Sequence, residues 1–215
     1  MTARRKSTIN PKVVEMTLTA LLVAIIVLLT FTPLGYLKTP LFEITLMVLP
    51  VAVGSVVLGW KAGLILGAAF GITSYMTCFG IGMPSALGAF LLSENPVLTA
   101  VICIVPRILC GVLPALIYKA ITQKDKHGYI AIAVSSLSTA IINTVLFLGG
   151  VWLVFSDFLA SSDYGAFVKE GFGEFNVLTF FLAFASINAL IEAGVCLVAG
   201  TAISKALLKV KERFL

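Results

Sequence analysis

The stretch that decides the fold runs from Val97 to Tyr118 and reads VLTAVICIVPRILCGVLPALIY, with Arg107 as its single charge. A bilayer has a hydrocarbon core about 30 Å thick, which a helix rising about 1.5 Å per residue crosses in about 20 residues. The stretch therefore predicts a transmembrane helix. The composition agrees, because 60% of the 215 residues are hydrophobic and only 12% are charged, whereas soluble domains carry about 25% charged residues.

Five further apolar stretches of similar length lie on either side of it. Together the six predict an all-α membrane protein with six transmembrane helices, at about 13–31, 41–58, 62–79, 97–118, 129–155 and 177–204. The second and third predicted helices are separated only by a tight turn at Gly59-Trp60-Lys61. The sequence contains no stretch typical of a soluble domain, so residues 1–215 are predicted to form a single transmembrane domain.

Lysine and arginine are distributed unevenly between the two sets of predicted loops. With the N-terminus inside, twelve of the fifteen fall on the cytoplasmic side, two fall outside, and Arg107 lies within a span. Cytoplasmic loops of membrane proteins carry the excess of positive charge. The sequence therefore predicts a multi-pass protein of the bacterial cell membrane with both termini in the cytoplasm. Its basic loops are expected to contact anionic lipid headgroups rather than nucleic acid.

Polar side chains deep within the predicted helices are candidates for a binding site. A charge at the bilayer centre costs about 2.5–3.5 kcal/mol on insertion scales, so such a residue normally faces the protein interior and has a partner. Arg107 and Glu192 are the two charges at this depth and have opposite signs. One interpretation is an ion pair between the fourth and sixth helices. The other is that Arg107 holds a substrate anion while Asn143 and Asn188 supply hydrogen bonds.

Aromatic residues near the predicted outer ends of the helices are a second group of candidates. Tyr36 and Tyr75 belong to this group and could stack on a flat ring of a substrate. Residues of this type also anchor helices at the membrane interface, and that alternative stays open.

Residue arrangements that enzymes use are missing. The one histidine, His127, falls in a predicted cytoplasmic loop, and the four cysteines have no metal-ligand spacing. The glycines and the lysine of residues 54–61 depart from a phosphate-binding loop, in which Lys directly follows Gly and precedes Ser or Thr. The sequence therefore predicts a protein that is not an enzyme, binds no metal or cofactor, and does not itself hydrolyse ATP.

Several stretches resemble the substrate-binding S component of energy-coupling factor (ECF) transporters, and the resemblance extends over nearly the whole chain. These stretches are Thr19–Ile25 and Leu29–Gly35, Gly54–Gly63, Val105–Gly111 and Ile187–Glu192. The resemblance implies capture of a small water-soluble vitamin on the outer side of the membrane. It also implies docking on a transmembrane scaffold subunit with two cytoplasmic ATPase subunits, which use the ATP.

The same resemblance implies roles for individual residues. In the family, two alanines four residues apart on the first helix form the docking motif, which corresponds here to Ala20 and Ala24. Pantothenate is the favoured vitamin, because Arg107 could meet its carboxylate and the asparagines its hydroxyl and amide groups. Riboflavin, folate, a pyridoxine relative and a cobalamin precursor stay open as cargoes. A stand-alone channel or secondary transporter is the alternative of another class, although paired repeats are missing.

Overall fold

The computed structural model describes residues 10–38, 43–123 and 128–214, with only the backbone described at 36–38, 43–44, 186–187 and 212–214. This part of the chain is almost entirely helical. Its helices are α1 (Pro11–Thr30), α2 (Val48–Leu58), α3 (Trp60–Cys78), α4 (Ala86–Glu94), α5 (Pro96–Thr122), α6 (Tyr129–Ala160), α7 (Asp163–Phe172), α8 (Val177–Val195) and α9 (Thr201–Phe214). A π-helical segment, Cys196–Gly200, joins α8 to α9.

Four helices of the described part are long and apolar enough to cross a membrane. They are α1, α5, α6 and the continuous stretch Asn188–Lys211, which contains the end of α8 and most of α9. A fifth apolar helix, α2, has only 11 residues. The chain is a multi-pass membrane protein with a helical architecture, as the sequence predicts.

The second predicted helix, 41–58, is shorter in the structure than in the prediction. Residues Glu43–Thr45 form strand β2, which pairs antiparallel with β1 (Tyr36–Lys38), and α2 begins only at Val48. Pro50 is the third residue of α2, where a helix needs no N–H donor. The apolar run therefore divides into a strand that pairs with its neighbour and a short helix.

A close contact between α3 and α5 fixes the centre of the bundle. A Cβ atom added to Gly63 would collide with the carbonyl oxygen of Gly111, and one added to Gly67 would collide with the carbonyl oxygen of Arg107. The Ser55 hydroxyl of α2 donates to the same Gly111 carbonyl at 2.7 Å. Small residues let helix backbones approach in a membrane, where dispersion contacts hold helices together. This contact sets the depth and rotation of α5, and with it the position of Arg107.

The two ends of the bundle carry different elements. At one end, which we call the terminal end, Lys211 of α9 forms an ion pair with Glu15 of α1, with an N–O distance of 3.2 Å. Lys211 also donates to the Val57 carbonyl near the end of α2, at 3.0 Å. At the opposite end, the ribbon end, α1 finishes and the β1–β2 ribbon follows. The start of α1 and the end of α9 therefore lie together.

Short helices cover the ribbon end. Phe90 of α4 stacks on Phe158 of α6, with 4.3 Å between ring centroids, and lies 5.3 Å from the ring of Tyr164 in α7. The amide of Met83, just before α4, donates to the carbonyl of Thr30 at the end of α1. These contacts hold α4 and α7 across the end of the bundle, above the space between the long helices.

Candidate functional site

A cavity of about 390 Å³ lies in the ribbon-end half of the bundle. Residues of α3, α5, α6 and α8 form its walls, while Thr45 and residues of α4 and α7 close it toward the ribbon end. Small-molecule sites usually have volumes of about 300–1,000 Å³ and apolar walls with a few converging polar groups. The polar residues predicted from the sequence, Arg107, Asn143, Asn188 and Glu192, all line this one cavity.

Arg107 is held in place from two directions. Residue 106 is proline and has no N–H, so the Ile102 carbonyl lacks its usual helical donor, and Arg107 Nη1 donates to it at 3.2 Å. The guanidinium carbon lies 4.0 Å from the ring centroid of Phe147 and 5.5 Å from that of Phe70. Both contacts restrict a side chain that is only 5% exposed.

The Arg107 guanidinium keeps donor capacity for a ligand. Its Nε atom is buried and has no hydrogen-bond partner among the residues that the structure describes. Guanidinium groups bind carboxylates through several N–H donors in a fixed fork. A buried, oriented guanidinium with an unpartnered donor is therefore suited to an anionic group.

Thr45, in strand β2, fixes the position of the Glu192 carboxylate. The Thr45 amide donates to Glu192 Oε1 at 2.9 Å and the Thr45 hydroxyl donates to the same oxygen at 2.7 Å. An ion pair between Arg107 and Glu192 was one interpretation of the sequence. Within the described ranges the one ion pair is Lys211–Glu15, so the two cavity charges are not in direct contact. The physical reason is that each is already fixed by separate partners.

The two asparagines present acceptor atoms without partners. The Oδ1 atoms of Asn143 and Asn188 are buried and accept no hydrogen bond from any described residue. An unsatisfied buried polar group costs about 1–3 kcal/mol, and in a native protein it calls for a partner such as a ligand or water. Both residues line the cavity, so these oxygens are positioned to accept hydrogen bonds from a ligand.

Three further candidates, Tyr75, Ala20 and Ala24, do not line the cavity. Tyr75 does not line the cavity, because its hydroxyl donates to the Pro96 carbonyl at 3.2 Å and its ring packs edge-on against Phe79. Its contacts join α3 to the start of α5. The side chain of Tyr36 lies outside the described residues. Ala20 and Ala24 are exposed on α1, away from the cavity.

Sequence reasoning missed several lining residues. Phe147 follows Asn143 by four residues on α6, so helical spacing alone would have placed both on one face. Thr45 gave no such signal, since it lies on the strand that replaces part of a predicted helix. Cys78 and Cys103 also line the cavity, with 3.8 Å between their sulfur atoms, although 25 positions separate them in sequence.

Comparison with known proteins bears on the family of the chain. Residues 14–203 match the family model for the substrate-specific component of ECF transporters. The chain is also similar to the pantothenic acid transporter PanT of Lactococcus lactis subsp. cremoris (strain MG1363), with 34% identity over 113 residues. That alignment covers 48% of this chain and 56% of the relative's length.

Proposed function

Since the chain belongs to the substrate-specific components of ECF transporters, we propose that it captures pantothenate for an ATP-driven importer. The observation that carries this proposal is the Arg107 guanidinium, buried and with an unpartnered donor, in a cavity that also contains two unpartnered asparagine oxygens. Pantothenate has a carboxylate at one end, a central amide and two hydroxyls at the other end. Its groups complement those of the cavity.

The alternative vitamins fit the cavity less well. Riboflavin and folate carry flat rings, which need an aromatic face for stacking. Three aromatic residues line the cavity, Phe147, Tyr164 and Phe184. The Arg107 guanidinium already lies over Phe147, and the rings of Tyr164 and Phe184 pack against each other and against Phe90 and Phe180. Tyr75, which the sequence suggested as a stacking residue, lies outside the cavity. The name of the similar Lactococcus lactis protein also favours pantothenate.

We also propose six membrane spans in one domain, residues 1–215, with both termini in the cytoplasm of a bacterial cell. The short helix α2 would span about 16 Å by its rise per residue. The five residues 43–47 before it could add up to about 16 Å in extended form. Extended backbone is tolerated at membrane depth where it lines a cavity, and Thr45 does line one. The contact of Lys211 with Glu15 supports an even number of spans.

The transport step would depend on partner subunits. A transmembrane scaffold subunit with two ATPase subunits would use ATP to release the vitamin inward, after this chain docks through Ala20 and Ala24. Both alanines are exposed on α1, as a docking surface requires. No cofactor is assigned to the chain itself.

A comparison of two ligands tests the binding proposal. The purified protein in detergent should bind pantothenate more tightly than pantothenol, which has an alcohol in place of the carboxylate. Arg107→Gln should weaken pantothenate binding by about ten- to a hundredfold, since a hydrogen bond to a charged group contributes about 1.5–3 kcal/mol. Pantothenol affinity should stay nearly unchanged. Isothermal titration calorimetry measures both.

Lys211→Gln is the matched control, because it removes a cation from the terminal end of the bundle, outside the cavity. It should leave both affinities unchanged. Absence of pantothenate binding to the wild-type protein at micromolar concentration would overturn the cargo assignment. A panel of other water-soluble vitamins would then identify the cargo. Pantothenate uptake into vesicles containing this chain alone would instead indicate a stand-alone channel or secondary transporter.

A further inference from the structure

We propose that Glu192 is a specificity-determining residue that accepts hydrogen bonds from the hydroxyl-bearing end of the ligand. The cavity would then select a molecule with an anion at one end and hydroxyl donors at the other. This inference rests on the proposed function, because it takes the cavity as the vitamin site.

The first argument is that the two cavity charges are kept apart. Opposite charges attract strongly in a medium of low dielectric constant. Arg107 is nevertheless held by the Ile102 carbonyl and the ring of Phe147, and Glu192 is held by Thr45. A buried charge without full compensation is costly. A ligand that pairs with both side chains at once compensates both.

The second argument comes from the hydrogen-bonding capacity of Glu192. An ionised carboxylate offers about four acceptor positions. The two donors of Thr45 occupy positions on Oε1, and the Asn143 amide also hydrogen-bonds the carboxylate. These partners orient Glu192 and leave about one of its four acceptor positions for a ligand. Since Glu192 lines the cavity and is only 5% exposed, a ligand donor that reaches it is shielded from water. A hydrogen bond to a carboxylate is roughly twice as strong as one between neutral groups.

The third argument concerns the unpartnered acceptors near Glu192. Asn188 lies one helical turn before Glu192 on α8, and the Asn143 side-chain amide donates to the Glu192 carboxylate. Both asparagines present unpartnered Oδ1 atoms. These two oxygens and the Glu192 carboxylate can accept hydrogen bonds from ligand hydroxyls. The negative charge of Glu192 disfavours a ligand carboxylate at the same end of the cavity. The ligand acid is therefore directed to Arg107, and the hydroxyls are directed to Glu192.

A ligand without hydroxyls separates this role from a merely structural one. N-(3,3-dimethylbutanoyl)-β-alanine has the carbon skeleton, amide and carboxylate of pantothenate but neither hydroxyl. Glu192→Gln should weaken pantothenate binding by about ten- to a hundredfold and change the affinity for the hydroxyl-free compound by less than about threefold. Arg107→Gln should weaken the binding of both compounds, because both contain the carboxylate. Calorimetry on the full chain in detergent gives all six dissociation constants.

Two further measurements protect the test against misfolding. The amide side chain that Glu192→Gln introduces keeps an oxygen that can accept from Thr45, so the thermal unfolding midpoint should stay close to that of the wild type. Thr45→Val removes only the hydroxyl donor that positions Glu192. Like Glu192→Gln, it should reduce the preference for pantothenate over the hydroxyl-free compound, but by a smaller factor.

The outcomes distinguish this inference from the proposed function. Equal weakening of both compounds by Glu192→Gln would show that Glu192 acts structurally, and would overturn the inference while the pantothenate assignment stands. A wild-type protein that binds the two compounds equally tightly would also overturn it. If the wild-type protein binds neither compound, the proposed function fails and the inference fails with it.

Discussion

At the scale of single residues, the cavity depends on how one proline and one aromatic ring position a cation. Pro106 leaves the Ile102 carbonyl without a helical donor, and the adjacent Arg107 supplies one. Phe147, on the facing helix α6, takes the other side of the guanidinium. The backbone and the ring thus stabilise the cation within an apolar helix, and no carboxylate of the described residues forms an ion pair with it. Its remaining donor capacity is available for a ligand.

The ring of Phe147 should therefore contribute to anion binding. Cation–π contacts contribute about 0.5–2 kcal/mol, so Phe147→Leu should weaken pantothenate binding by about two- to thirtyfold through a less ordered guanidinium. Pantothenol binding should change little. Phe158→Leu is the matched control, because Phe158 stacks on Phe90 of α4 at the ribbon end and does not line the cavity. Equal losses for both ligands in Phe147→Leu would indicate that the ring only shapes the cavity wall.

Residue patterns in the sequence identified part of this site. Arg107, Asn143, Asn188 and Glu192 were conspicuous because polar groups are rare in apolar helices, and all four line the cavity. Thr45 could not be identified in this way, since a threonine is ordinary in such a sequence and its role depends on contact with Glu192 across the fold. The partners of each charge likewise depend on tertiary packing.

At the scale of elements, hydrophobicity predicted where helices lie better than where they end. The ends of α1, α3 and α5 agree with the prediction to within a few residues. The prediction of a helix over 41–58 was wrong at its start, because strand pairing competes with helix formation in apolar, β-branched sequence. The π-helical segment Cys196–Gly200 also gave no sequence signal, and it begins one turn after Glu192. Such segments are frequent at functional sites.

The glycine contact between α3 and α5 leads to a prediction about stability. Gly67→Val would force a side chain against the Arg107 carbonyl. Overpacking costs about 1–3 kcal/mol, so the thermal unfolding midpoint should fall by about 2–12 °C. Pantothenate binding should weaken too, because α5 carries Arg107. Differential scanning fluorimetry and calorimetry measure the two effects.

Gly149→Ala is the control for that substitution. A Cβ atom at Gly149 in α6 meets no atom within 4 Å, and alanine favours a helix over glycine by about 1 kcal/mol. Its unfolding midpoint should be unchanged or higher. If Gly67→Val and Gly149→Ala behaved alike, close backbone packing at α3 and α5 would not be what stabilises the bundle.

At the scale of the whole molecule, α1 differs from the other long helices in its exposure. Ile26 and Thr30 are its buried residues, and large apolar side chains such as Met16 and Leu28 are 70% and 62% exposed. Exposed apolar side chains suit lipid as well as a partner helix. Ala20 and Ala24 add a flat area to this surface, where a neighbouring backbone can approach closely.

Binding and transport should therefore respond differently to changes on α1. Ala20→Trp or Ala24→Trp places a large ring on the flat area, so uptake of labelled pantothenate into cells that contain the scaffold and ATPase subunits should be abolished. Pantothenate affinity of the purified chain should be unchanged, because neither alanine lines the cavity.

Ile25→Trp is the control: Ile25 is 38% exposed and lies about 140° around the helix from Ala20. Unchanged uptake in both alanine variants would exclude this face as the docking surface. Loss of binding instead would mean that α1 supports the cavity, and the division between a docking face and a binding site would then not hold.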